Sequence, residues 1–253
     1  VKEQVKTKFS NPFMTLNLVW LDESNFLSQN RHCTLTQYDI TRNEPVHAIQ
    51  YSQEIIQTSF TRMALNSDHT FCALPSEKQI SLYSTRNLTT DPPVTLPLEN
   101  KDAMGFLMGL CFHRSKDNEL YGAFENGQVL RWDIRNPDQP GELVKKSQEH
   151  SPVLSIKNCN IRDDSSWDCL TLSHTDNRIS FTMLNHQDSA ASQLQLKNEG
   201  ISDLLFTTNG RIMCTAGWDH RVRVFEMKKN KDFAVNCKPI AVYKGHTATV
   251  NCL

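Results

Sequence analysis

Apolar and polar residues alternate along the chain in short runs separated by Asn, Asp, Gly and Pro, the signature of half-buried strands joined by tight turns. The clearest run is Thr215-Ala216-Gly217-Trp218-Asp219-His220-Arg221-Val222-Arg223-Val224-Phe225. It reads as a small-residue strand end, a turn carrying an aspartate, and an alternating strand that closes on an aromatic residue before Glu226. Weaker copies precede it. Gln128 to Arg131 closes on Trp132-Asp133 after the dipeptide Asn126-Gly127, which suits a two-residue turn because both residues tolerate positive φ. Thr34 to Gln37 closes on Tyr38-Asp39, Gln79 to Leu82 on Tyr83-Ser84, and Asn177 to Phe181 on Thr182. With positions 38, 83, 132, 182 and 225 taken as equivalent, the intervals are 45, 49, 50 and 43 residues. Helical periodicity is nowhere sustained, and Ala190 to Leu196 offers a turn or two at most.

A hairpin recurring at this period points to a β-propeller, in which each four-stranded blade buries its faces against its neighbours. The expectation is an all-β fold of the WD40 type, with residues 1–253 as a single, incomplete propeller domain. It would hold about five blades, with a new repeat opening at Gly245-His246 and its first strand running through Thr249 to Leu253. An open arc leaves strand edges and apolar faces uncovered, so the full protein is expected to carry about seven blades. Glu149-His150 before Val153 to Ile156, and Asn198-Glu199-Gly200 before Ile201 to Phe206, mark other repeat starts. Phe13 to Leu21 and Asn25 to Ser28 predict the strands before Tyr38, and Ile55 to Phe60 with Thr70 to Leu74 those before Tyr83. Polar segments at Asn87 to Pro93, Asn136 to Gly141 and Asp188 to Gln193 read as connections between blades.

In well-formed repeats an opening histidine, a strand hydroxyl, the turn aspartate and the tryptophan form a buried hydrogen-bonded set. No repeat here carries all four, so several blades are expected to be held by apolar packing. The residues marking the repeats are Asp39, Asn126, Gly127, Trp132, Asp133, His150, Asp219, Phe225, Gly245 and His246.

Composition narrows the function. Hydrophobic residues make up 38% of the chain and the net charge is -1. No apolar run approaches the roughly 18 residues of a membrane helix, and no basic groove interleaved with aromatics can be read, so neither a membrane nor nucleic acid is an expected partner. Cysteines 33, 72, 111, 159, 169, 214, 237 and 252 show no Cys-x-x-Cys pair or zinc spacing, and read as small buried hydrophobes. There is no phosphate loop, nucleophile elbow or His-Glu-x-x-His, so no catalytic residue, cofactor or metal is expected. Asp163, Asp164 and Asp168 read as a solvated loop rather than a metal site. His32, His174 and His220, at or beside inner turns, read as turn or capping groups. Asp219 reads as a turn residue accepting backbone N–H groups.

Recognition residues are harder to separate from structural ones. Trp218 is not required by its hairpin; it either anchors a partner or packs on the neighbouring blade. Arg221 and Arg223, with Lys228, Lys229 and Lys231, form either a solvated outer strand and loop or a contact for an acidic partner. Trp218, His220, Arg221 and Arg223 are thus the candidate partner-binding residues.

The stretch Ala216 to Phe225, followed by Pro239-Ile240-Ala241-Val242-Tyr243 and a histidine-led start, resembles the penultimate blade of the guanine nucleotide-binding protein subunit beta-like protein 1 family, whose fungal counterpart is ASTRA-associated protein 1. The likeness continues through Phe26 to Arg31, Tyr121 to Ile134 and Asn198 to Ile201, in order over nearly the whole chain. Tyr38 departs from it, since Trp is common there, and the first blade and the rest of the last are lacking. The resemblance implies a non-catalytic adaptor, cytoplasmic and nuclear, that works with the Triple T co-chaperone complex in the maturation and abundance of phosphatidylinositol 3-kinase-related kinases. An alternative it implies is a chromatin-associated subunit or reader of an ASTRA-like complex. Its likeness to heterotrimeric G protein beta subunits is architectural and licenses no signalling role.

Overall fold

The computed structural model describes residues 9, 14–42, 45–51, 61–76, 79–89, 92, 94–98, 101–145, 151–160, 168–185, 192–229 and 234–253. These form five four-stranded antiparallel sheets, each a meander in chain order. Blade 1 contains β1 (Thr15–Trp20), β2 (Asn25–Asn30), β3 (Thr34–Asp39) and β4 (Pro45–Gln50). Blade 2 contains β5 (Ala64–Leu65), β6 (Phe71–Pro75), β7 (Gln79–Ser84) and β8 (Val94–Pro97). A single-turn helix, α1 (Lys101–Met104), precedes blade 3, made of β9 (Leu107–Phe112), β10 (Glu119–Phe124), β11 (Val129–Asp133) and β12 (Glu142–Lys145). Blade 4 follows with β13 (Val153–Asn160), β14 (Asp168–His174), β15 (Arg178–Met183) and β16 (Ser192–Gln195). Blade 5 ends the series with β17 (Ile201–Phe206), β18 (Ile212–Gly217), β19 (Val222–Lys229) and β20 (Val235–Tyr243).

The first strands of blades 2 to 5 lie side by side, so the sheets fan outward from an inner wall. Alternation along each strand then sends successive side chains to opposite faces, and facing sheets build an apolar core between them. Leu27, Leu35, Leu74 and Tyr83 fill the space between blades 1 and 2, and Leu82, Leu96, Phe112 and Leu120 that between blades 2 and 3. Tyr121, Val129, Ile156 and Leu172 join blades 3 and 4; Phe181, Leu204, Met213 and Phe225 join blades 4 and 5. Two faces have no blade against them among the described residues. On blade 5, Leu205, Cys214, Val224 and Ala241 stand in one cross-strand row. On blade 1, the exposed Trp20 meets Phe26 edge-on and Phe26 stacks on Tyr38 at 5.0 Å.

The inner hairpins fall where the pattern places them, but the three polar segments do not connect blades. In chain order each falls within a blade, after its third strand; residues 90, 91, 93 and 188–191 lie outside the described residues, and Ser192–Gln195 is itself a strand rather than helical. The outermost strands β8, β12 and β16 have only four residues each and, apart from Leu96 of β8, none of their described side chains is buried, so they lack the apolar run that marks a strand in sequence. Residues 244–253 likewise form no strand, although Val250 N–H donates to the Gly217 carbonyl at 3.2 Å. His150 and the segment 55–60 lie outside the described residues.

The Asn126-Gly127 turn also differs from expectation. Only Gly127 has positive φ, at 81°, and its N–H donates to the Phe124 carbonyl, giving a four-residue turn whose last residue is left-handed. Asn126 serves instead through its side chain, which accepts the Gln128 N–H at 3.0 Å. The same left-handed position is taken by Cys33 (56°) in blade 1 and His220 (65°) in blade 5.

Polar sets hold the blades only in part. Trp132 is buried against Gly122 and Gly141, yet its Nε1 has no hydrogen-bond partner among the described residues. Asp133 instead closes its own turn, accepting from the Arg135 N–H at 3.0 Å and from the Arg135 guanidinium. Asp39 does the same with Thr41. His174 Nε2 lies 2.9 Å from Ser180 Oγ on the adjacent strand.

Candidate interaction surfaces and buried polar hubs

The blade 5 hairpin assembles its turn from residues that each have a distinct task. Gly217 N–H donates to the Arg221 carbonyl at 3.0 Å and closes the loop. Asp219 accepts from both terminal nitrogens of Arg223. The Arg223 guanidinium holds the Asp219 carboxyl below the usual carboxylate range against a smaller opposing effect of burial, with Arg221 adding to the same end at 3.8 Å. Arg223 is therefore a buried structural partner of the turn, not part of a solvated basic strand. Lys228 pairs with Glu226 at 3.1 Å, and Lys231 lies outside the described residues.

Trp218 combines the two readings open to it. Its N–H donates to the Gly200 carbonyl at 2.9 Å, while Gly200 N–H donates to the Thr175 carbonyl in the corresponding turn of blade 4. The indole covers Gly200, but 43% of the residue stays exposed. Gly200 has φ of 79°, and a Cβ there would lie 2.2 Å from the indole. Gly200→Ala is accordingly expected to lose about 1–3 kcal/mol, measured by urea denaturation; an unchanged midpoint would show that Trp218 is not held by this loop.

At the same end of blade 5, Tyr243 pairs in register with Val222, and its ring meets His246 edge-on at 5.5 Å. Gly245 lies directly against the Tyr243 ring. Tyr243, Lys244, His246, Trp218 and His220 are all exposed.

Three arrangements escaped the sequence pattern. Asp168, expected in a solvated loop, opens β14 as a buried residue. His113 Nδ1 accepts the Ser115 N–H at 3.1 Å, so its Nε2 carries the proton and donates to Asp168 at 2.8 Å. Asn158 Nδ2 donates to the other carboxylate oxygen at 3.0 Å. Burial pushes the Asp168 carboxyl up, but the bonds from His113 and Asn158 together hold it below its ordinary value. Asp163 and Asp164 lie outside the described residues.

The second arrangement ties blade 2 to blade 5. Arg62, just before β5, reaches Asp203 on β17 at 2.6 Å, and Asp203 also accepts from Ser155 Oγ at 3.2 Å and Leu253 N–H at 3.1 Å. In the third, Arg114 donates to the Thr207 and Thr208 carbonyls, binding blade 3 to blade 5. All three are structural. Burial likewise pushes the Cys111 thiol up to about 12, away from a reactive thiolate.

Five meandering four-stranded blades fanned about an inner wall, with a Trp-Asp-type turn at the third strand, define a WD40 β-propeller. A model of the WD domain, G-beta repeat, matches residues 192–226, which run from the outermost strand of blade 4 through the first three of blade 5.

The particular relatives agree with the resemblance carried by the residues. The chain is 24% identical over 250 residues to guanine nucleotide-binding protein subunit beta-like protein 1 of Mus musculus, a match covering 93% of this chain and 71% of that protein. It is 27% identical over 159 residues to ASTRA-associated protein 1 of Aspergillus niger, covering 56% of this chain but only 36% of that one. Among solved structures, the Cps50 (Swd1) β-propeller domain of Myceliophteria thermophila superimposes with a TM-score of 0.74 at 12% identity, covering 94% of this chain and 74% of the other. The structure of U3-55K gives 0.71 at 15% identity, covering 93% and 66%. These structural likenesses speak for the fold alone.

Proposed function

We propose that this protein is a non-catalytic WD40 adaptor that works with Triple T co-chaperone components and supports the maturation and stability of phosphatidylinositol 3-kinase-related kinases in the cytoplasm and nucleus. The observation that carries this reading is the match to the mouse beta-like protein 1 over 93% of the chain. The fold supports it, since propellers of this type serve generally as rigid platforms for protein partners. The exposed row on blade 5 is covered, in this reading, by a further blade of the whole protein. The test is affinity purification of the tagged full-length protein followed by mass spectrometry. Triple T components and at least one such kinase are expected in the eluate, and their absence under mild crosslinking would overturn the reading.

A second reading has its own support in the name of the fungal relatives, which are ASTRA-associated. In that reading the protein is a chromatin-associated subunit or reader. Saturable binding of the intact protein to a histone peptide array would favour it.

A further inference from the structure

We propose that Phe106 and Glu125, on the rim where blade 2 passes into blade 3, together bind a lysine or arginine side chain on an extended basic segment of a partner protein. The site lies inside the arc, with a described blade on either side of the junction, and it stands whichever complex the protein serves.

Two segments meet to build this rim. Residues 104–106 lead from α1 into β9, and residues 124–127 form the turn between β10 and β11. Glu125 N–H donates to the Phe106 carbonyl at 2.9 Å, Asn126 N–H to the Met104 carbonyl at 3.1 Å, and Asn126 Nδ2 to the Ala103 carbonyl at 3.1 Å. Met104 and Leu107 are buried in the core between blades 2 and 3, which anchors the first segment from beneath. Phe106, between them in sequence, is turned outward and stays 40% exposed. Gly105 admits the carboxylate beside it. Its φ is 75°, and a Cβ there would lie 2.7 Å from Glu125 Oε2, the oxygen that accepts the Phe106 N–H at 3.3 Å. The ring and the carboxylate therefore stand next to one another on a clamped backbone.

The charge of Glu125 is what distinguishes this turn from its counterparts. In blade 4 the turn carboxylate Asp176 pairs with Arg178 at 2.6 Å, and in blade 5 Asp219 pairs with Arg223. Blade 3 has Gln128 where blade 4 has Arg178 and blade 5 has Arg221, the residue after each left-handed or central turn position. Glu125 is exposed and has no ion pair among the described residues, so its charge is available to a ligand. An exposed aromatic face and a carboxylate both attract a cation, and one long basic side chain can meet the two together. An apolar partner would instead cover the carboxylate without pairing it, and an acidic one would be repelled. Because both groups are already positioned, little ordering accompanies binding.

The test uses fluorescence anisotropy of the full-length protein with a labelled peptide of repeating Lys-Ala-Ser, beside a Gln-Ala-Ser peptide of the same length. The basic peptide is expected to bind about tenfold or more tightly than the neutral one, with affinity falling as salt is raised. Glu125→Lys is expected to reduce that affinity about tenfold or more, and Phe106→Ala about threefold or more, while Phe106→Tyr, which keeps an aromatic face, stays near wild type. Glu23→Lys removes an exposed carboxylate from the β1–β2 turn, at the opposite end of the blades, and should leave binding unchanged. Circular dichroism confirms that each variant is folded. Equal binding of the basic and neutral peptides would overturn the proposal. So would full affinity in folded Glu125→Lys or Phe106→Ala, or a loss in Glu23→Lys as large as that in Glu125→Lys. Loss of Triple T co-purification with peptide binding intact would overturn the adaptor reading and leave this site standing.

Discussion

Replacing Asp168 with alanine is expected to destabilise the protein by about 2–5 kcal/mol. The change strands the buried His113 Nε2–H and leaves the buried Asn158 Nδ2 only its longer bond, to the Cys169 carbonyl at 3.4 Å; the two residues are 0% and 8% exposed. Each unsatisfied buried donor costs about 1–3 kcal/mol. His113 has no alternative, because its Nδ1 is already engaged with the Ser115 N–H. Asp168→Asn should cost less, since the amide oxygen can still accept from one of the two donors. The dependence on pH has a definite sign. The folded-state carboxyl titrates below its unfolded value, so its contribution is fully present above about pH 4 and disappears as pH falls through the lower folded value. Urea denaturation should therefore show a wild-type advantage over Asp168→Ala at neutral pH that narrows below about pH 4. An advantage that stayed constant into strong acid would show that the carboxylate charge is irrelevant to the hub.

Phe181→Ala is expected to cost about 3–5 kcal/mol. The ring is 1% exposed and lies in the core shared by blades 4 and 5, among Ile179, Leu204, Met213 and Phe225. Those neighbours come from two sheets whose spacing is fixed by strand ladders, so they cannot close on the void, and the loss exceeds simple transfer to water. Phe181→Leu keeps most of the volume and should cost under about 1.5 kcal/mol. Chemical denaturation separates these values easily. A loss for Phe181→Ala as small as that for Phe181→Leu would mean that the two blades do not share a rigid core.

Both sites show what a single sequence can and cannot reveal. The inner strands were legible because burial on both sides forces apolar residues into alternating positions and because their turns demand Asn, Asp or Gly. Val129 to Trp132 and Val222 to Phe225 are of this kind. The outermost strands were not legible, because β8, β12 and β16 are only four residues long with few buried side chains, and the loops before them looked like connections between blades. The polar hubs left no local trace at all. His113 and Asp168 are 55 residues apart, and Arg62 and Asp203 are 141 apart. In each hub the meeting of a base and a carboxylate is created by blade packing, so no spacing rule announces it. At the blade 5 turn, the sequence named Trp218, His220, Arg221 and Arg223 together. Only the structure separates them, placing Arg223 beneath the turn with Asp219 and Trp218 partly over Gly200.

The adaptor account is tested most directly by rapid depletion of the protein in its own cells, with the half-lives of newly made phosphatidylinositol 3-kinase-related kinases followed by pulse-chase labelling. The account predicts that these kinases are degraded faster while their messenger RNA levels and the half-lives of unrelated kinases stay constant, and that Trp218→Ala complements less well than wild type. Unchanged kinase half-lives after complete depletion would contradict it.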